Sequence, residues 1–396
     1  MKKSFVSLCI LVITFSFLFL GTSPVGAEEP EPIKVGVLSA QSGFAAAWGL
    51  PVLHVTNIWA DEVNAAGGLE VNGVKHKIQI YKADSKFDTS AGASAAEKLV
   101  HVDKVRFIHG PTGSHVFLAV APITTQAKVI TFQYPWIKEY ASSKYPYNFN
   151  AMPTAREHGK PKYQYLRETY PDKKRVVIMG FRDPGTEDVL DVLVDAAKSQ
   201  GFQVVDVLRY EMRVKDYYPL ITKALSKKPD ILDLGFANPG IAGAQVKTAR
   251  DLGFKGVTFQ HTMGDLKTIT SIAGKAAEGH LYLGGGSDEI VATEKMKKYK
   301  AEYIKRYGRW NEGAAMELYV PLMLGKGIQA AGTFKDPDKV VKALEEMSFF
   351  SKYVKGSPQV YFTQEADRKA VLVTPMAFVE IKNGEERTVK ILKEMQ

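Results

Sequence analysis

The chain has 396 residues with one cysteine, 45% hydrophobic and 24% charged residues, and a formal net charge of +9. This is an ordinary globular composition of a length for two average domains, held by a large core and not by a disulfide framework. The basic pairs Lys173-Lys174, Lys227-Lys228 and Lys297-Lys298 are scattered rather than clustered with aromatics, which argues against a nucleic-acid surface.

Residues 1–27 join a basic start (Lys2, Lys3), an apolar run and small residues at Val25 and Ala27, the pattern of a cleaved signal peptide. The apolar run is too short for a comfortable membrane span. Cys9 lies inside it, so no cysteine stands where a lipid anchor would be attached. The expected mature chain is exported, cysteine-free and periplasmic, not a lipoprotein. Without Lys2 and Lys3 it carries 50 basic residues against 43 acidic ones.

Residues 33–40, 77–85, 105–110 and 129–134 read as strands, with helices over 50–66, 90–102 and 114–127 between them. This alternation predicts a parallel sheet covered by helices. It restarts with strands over 175–181, 202–210, 230–236 and 257–262, giving a second α/β unit joined to the first around 148–154. A strand from 280, helices over 293–307 and 313–331, and a closing hairpin turned at Asn383-Gly384 complete the chain.

The eight histidines contain no i,i+4 pair, and the sequence has no HExxH, GxSxG or GxxxxGK[ST]. Ser114-His115 are adjacent, which suits no triad geometry well, and "KADSKFD" reads as turn and cap residues. No enzyme, metal or cofactor is implied. The informative segments follow the strands' carboxyl ends, where open parallel sheets bind ligands. They are "QSGFAAAWG", "GPTGSHV", "FQYPW", "FRDPGTED", "FANPG" and "QHTMGD". Their glycines, rings and small hydroxyls suit a mostly apolar pocket with a few polar anchors. In "GPTGSHV" the loop enters a helix at Gly113-Ser114, leaving backbone N–H groups for a carboxylate, unless Ser114 only caps its own helix.

"IKVGVLSAQSGFAAAWG", "VNAAGGLEVNG", "FIHGPTGS" and "SIAGKAAEG", in this order, resemble the type I periplasmic binding proteins. Within these the sequence resembles specifically the branched-chain amino-acid-binding (Leu/Ile/Val-type) receptors of ABC importers. The resemblance implies two Rossmann-like lobes joined by three crossover segments, with ligand held in the cleft by hinge closure. Lobe 1 is expected over 28–152 plus 281–372, and lobe 2 over 153–280 plus 373–396. The implied partners are a small-molecule ligand and an ABC-type permease, with the receptor acting as a monomer.

Carried over by position, the resemblance puts the aromatic cleft wall at Trp48, with Phe44 beside it. The carboxylate anchor falls at Gly113 and Ser114, and a second loop at Phe132, Gln133 and Tyr134, near Trp136. In the other lobe a family tyrosine falls at Gly185-Thr186, an aromatic near Asn238, and the acidic anchor for the α-ammonium at His261 or Thr262. Neither of those two replaces a carboxylate, although Asp183 or Asp265 could swing in. With so aromatic a near wall, the expected ligand is a hydrophobic carboxylate lacking an α-amino group, a branched-chain amino acid being the alternative. Plainer readings stand beside these: Phe132 as core, Trp136 as edge cover, His261 as a structural residue, Trp48 as a spacer. A ligand sensor for a membrane signalling protein is the competing use of the same module.

Overall fold

The computed structural model describes residues 29–365 and 367–392. The expected signal peptide, Cys9 included, lies outside the described residues.

The first sheet is built from Ile33–Ser39, flanked by Ile78–Asp84 on one side and by Phe107–Thr112, Ile130–Tyr134 and Asn148–Asn150 on the other. All these neighbours are parallel. Arg368–Val373 joins parallel to Asn148–Asn150, and Gln359–Glu365 and Ser348–Phe350 extend the edge antiparallel. The second sheet runs Gln203–Tyr210, Arg175–Phe181, Ile231–Asp233, Val257–Met263 and His280–Gly284 in parallel. The hairpin Met376–Lys382 and Glu385–Leu392 closes it antiparallel. The central strands read as continuous apolar runs because helices cover both faces. Arg175–Phe181, for instance, is buried from its second residue onward.

The predicted hairpin turn forms as a two-residue connection with Asn383 at φ 55° and Gly384 at φ 76°. A left-handed pair of this kind matches the twist of antiparallel strands.

Two expectations need correction. The first helix begins at Ala46, not at residue 50, and runs through Pro51 to Ala65. Proline cannot donate to the carbonyl four residues back, but Asn311 Nδ2 bonds that carbonyl, Ala47 O, at 2.9 Å. Trp48 therefore sits in the first helical turn. The second correction concerns the lobe boundary drawn at 280/281. His280–Gly284 pairs on both sides within the second sheet, so the chain leaves that sheet only after Gly284. Tyr282 is accordingly a buried strand residue, its hydroxyl donating to Glu386 at 2.8 Å.

Candidate functional site

The carboxyl ends of both sheets face one cleft, which holds a cavity of about 60 Å³. The cleft is shut. His115 Nδ1 lies 2.7 Å from Asp183 Oδ2, and Asn238 Nδ2 donates to Phe44 O at 3.2 Å. Trp136 and Phe236 meet edge to face at 4.1 Å between centroids. On the hinge side Arg309 and Asn311 both bond the buried carboxylate of Asp265.

The polar end of the cavity is the start of helix Ser114–Gln126. Its N-cap is Gly113, at φ 95°, and no side chain caps it. A Cβ at 113 would lie 2.6 Å from Phe87 Cε2, so only glycine lets this ring close over the helix start. Ser114 does not cap its own helix: its Oγ accepts from Trp136 N at 2.8 Å and fixes the next loop. The first N–H groups of the helix thus face the cavity wall without a side-chain acceptor, beside the positive end of the helix dipole. Thr112, next in this wall, accepts from Ala40 N at 3.3 Å.

Across the cleft, helix Pro184–Ser199 begins at Asp183, whose Oδ1 accepts from Gly185 N at 2.9 Å. Asp183 and Thr186 line the cavity. Asp183 is the acidic residue in its wall, and its other oxygen meets His115. Burial alone would lower the His115 pKa, but the Asp183 hydrogen bond and charge, with the Phe87 carbonyl and Asp88, raise it above the ordinary imidazole value.

The remaining walls are apolar. Trp48 is half-buried and tilts against Phe87 at 5.8 Å, its indole nitrogen buried without a partner among the described residues. Tyr134 presents only its ring. Its hydroxyl donates to buried Glu317 and lies 2.6 Å from His109 Nε2, and His109 in turn meets Thr56 Oγ1 at 2.7 Å. Burial pushes Glu317 well above the usual carboxylate range and His109 down to about 3, so this chain of groups is neutral. Met152, Phe181, Phe236 and Met263 complete the cavity.

Of the residues singled out in the sequence, the structure brings Trp48, Gly113, Ser114, Tyr134, Thr186 and Thr262 to the cavity wall. Gly185 instead lies under Ser114, where a Cβ would overlap the Ser114 hydroxyl. Phe44 is 36% exposed at the mouth, its ring against Phe87 and Arg213. Four others lie off the cavity. Phe132 is core, stacked on Phe149 at 5.6 Å. Gln133 is buried on the opposite face of the same strand. Asn238 caps helix Pro239–Asp251 through Ile241 N while its amide reaches Phe44. His261 belongs to a fully buried group with Lys162 and Asp233. Thr262, the other position considered for the acidic anchor, donates to Ala237 O at 2.6 Å.

Phe87 was missed. It follows strand Ile78–Asp84, so the carboxyl-end rule that flagged the other loops applies to it equally.

Two α/β sheets closing on an apolar cavity with an uncapped helix start match a known family. The model for periplasmic binding proteins covers residues 32–386. The chain belongs to the periplasmic binding protein family. Such proteins are solute receptors and not enzymes. A Leu/Ile/Val-binding protein of Rhizobium johnstonii is 24% identical over 79% of this chain and 83% of its own length. The substrate-binding protein of a branched-chain amino acid transporter from Streptococcus pneumoniae, solved with isoleucine, superposes with a TM-score of 0.75. It is 20% identical and covers 92% of this chain and 100% of its own. A solute-binding protein of an R. palustris ABC transporter, solved with benzoate, also gives 0.75, at 16% identity over 91% of this chain and 96% of its own. At these identities the solved structures speak for the bilobed type I architecture.

Proposed function

We propose that this periplasmic binding protein captures a small hydrophobic amino acid between its lobes, in the periplasm, as a monomer, and hands it to an ABC-type permease. One observation carries the reading: an uncapped helix start and a carboxylate, Asp183, flank the same apolar cavity. The helix start suits the ligand carboxylate, Asp183 suits an α-ammonium, and the rings and thioethers suit an aliphatic or aromatic side chain. An acid without the amino group was expected because Thr262 stands in for the acidic anchor. Asp183 supplies that charge from another loop, and the Leu/Ile/Val-binding relatives support the amino-acid reading.

The second reading, an aromatic acid without an ammonium, keeps one specific support. Asp183 already has a cationic partner in His115.

Calorimetric titration with leucine, isoleucine, valine and phenylalanine, beside their 2-oxo acids and benzoate, separates the two. Binding of the amino acids with at least about a tenfold preference over the 2-oxo acids is expected, that being the scale of one charge-assisted contact. Asp183→Asn should erase the preference. Equal or tighter binding of the 2-oxo acids or benzoate overturns the amino-acid reading. With whichever compound binds, Trp48→Ala should lower affinity roughly thirtyfold, about 2 kcal/mol for an indole face buried on closure. Its urea midpoint should fall much less, and equal losses in both would make Trp48 a core spacer.

A further inference from the structure

We propose that His115, acting through Asp183, is a positioning residue that makes closure of the cleft, and with it ligand capture, take up a proton. The inference rests on the closing motion alone and needs no identity for the ligand.

The geometry is specific. His115 is the second residue of helix Ser114–Gln126 in the first lobe. Its Nδ1 lies 2.7 Å from Asp183 Oδ2 in the second lobe, and its Nε2 lies 3.2 Å from the carbonyl oxygen of Phe87. A carboxylate and a carbonyl can only accept, so both ring nitrogens must carry hydrogen. The closed arrangement therefore holds an imidazolium.

A cation does not belong there by default. The start of a helix is its positive end, and half-burial opposes charge. The groups facing the ring decide the matter. From the second lobe it is Asp183, while the next charges on that side are paired elsewhere, Glu187 with Arg209 and Arg182 with Glu211. From the first lobe it is the Phe87 carbonyl and, further off, Asp88, which caps helix Thr89–Glu97. The Phe87 ring packs edge-on at 4.7 Å and keeps water from that side. Arg213 lies beyond Phe44, over its ring.

Opening the lobes removes Asp183 and leaves the imidazole at the helix start with Phe87 and Asp88. The proton is then held more tightly in the closed form than in the open one, and linkage gives the sign. The latch is complete below the pKa of the open form. It is lost as pH rises through the higher pKa of the closed form.

The mature chain is expected to be free of cysteine, so spin labels at Lys82→Cys and Lys215→Cys, both exposed and one in each lobe, report a distance between the lobes. In the ligand-free protein the closed-to-open ratio should rise roughly fivefold or more between about pH 8.5 and pH 5.5, the lower range of ordinary coupling between sites. His115→Gln, which keeps a hydrogen-bonding side chain but takes up no proton, should flatten the profile, as should Asp183→Asn. His115→Lys should restore closure at both pH values without the dependence. A flat wild-type profile, or a His115→Gln protein that keeps the wild-type slope at lower overall closure, overturns the proposal. The second outcome would leave His115 a merely structural contact.

Discussion

Gly185→Val is expected to weaken ligand capture roughly a hundredfold while both lobes stay folded. Gly185 lies in the first turn of helix Pro184–Ser199, and a Cβ there would overlap Ser114 Oγ. It would also fall 2.8 Å from Trp136 Cβ and 3.0 Å from Ser114 Cβ. Ser114 and Trp136 both belong to the first lobe, so the clash exists only when the cleft is shut. Within its own helix valine is no worse than glycine, and the open protein should lose under about 0.5 kcal/mol in urea denaturation. Closure would have to displace the loop that Ser114 fixes. An overpacking cost of about 3 kcal/mol corresponds to a roughly hundredfold loss of affinity by calorimetry. Gly185→Ala should act in the same direction, less strongly. Gly159→Ala is the matched control, because its Cβ would meet only Leu193 and Ala196 of the same lobe, at 3.4 and 3.7 Å. Wild-type affinity in Gly185→Val would mean that ligand binds to a different arrangement of the lobes.

The helical environment of Gly185 also shows what could be read from sequence. The resemblance drew attention to 185 as a position where a family tyrosine is missing. The physical consequence is instead a close approach of two helix starts, which only the tertiary arrangement reveals. Strand positions were legible where burial on both faces leaves long apolar runs, as in Arg175–Phe181, whose predicted ends match. Alternation assigns a face but not a depth. Phe132 and Tyr134 share a face of one strand, yet Tyr134, at the carboxyl end, reaches the cavity and Phe132 packs into the core. His261 and Thr262 are neighbours on opposite faces, so a one-residue uncertainty moved the anchor from cavity wall to buried interior. The Ala47 carbonyl that Pro51 leaves open in the first helix is bonded by Asn311, 264 residues away in sequence, and no local pattern carries that information. Asp183 stood out in the sequence only as an acid that could swing in for the missing anchor; its place as a helix cap opposite His115 came from the closing of two separate sheets.

Removing one charge behind the second lobe's wall should have the largest effect on stability. Lys162, Asp233 and His261 are fully buried. Lys162 donates to Asp233 Oδ2 at 2.6 Å and to His261 Nε2, and Tyr163 donates to the same carboxylate. Burial pulls Lys162 down to about 8 despite its acidic partner, and it likewise lowers His261 to about 4, so His261 is neutral at pH 7. For Asp233 burial acts the other way, but the adjacent Lys162 ammonium prevails and holds it well below the usual carboxylate range. The group is thus one ammonium and one carboxylate in an apolar interior, with the neutral imidazole of His261 and, stacked beside it, that of His158, which burial also holds well below the ordinary imidazole range. Lys162→Met leaves Asp233 charged and unpaired, and about 3–5 kcal/mol should be lost in urea denaturation at pH 7. Adding Asp233→Asn, which keeps an acceptor for Tyr163, should recover about half of that loss, because the penalty lies in the stranded charge rather than in the missing contact. A Lys162→Met protein as stable as the wild type would show that Asp233 is not held as a carboxylate by this lysine. The consequence reaches the cavity, since Phe236 stacks on His261 at 6.1 Å and Trp136 meets His158 at 5.7 Å. The wall that receives the ligand rests on these imidazoles. Lys162→Met should therefore also weaken binding in the fraction that remains folded, whereas Gly185→Val separates binding from stability altogether.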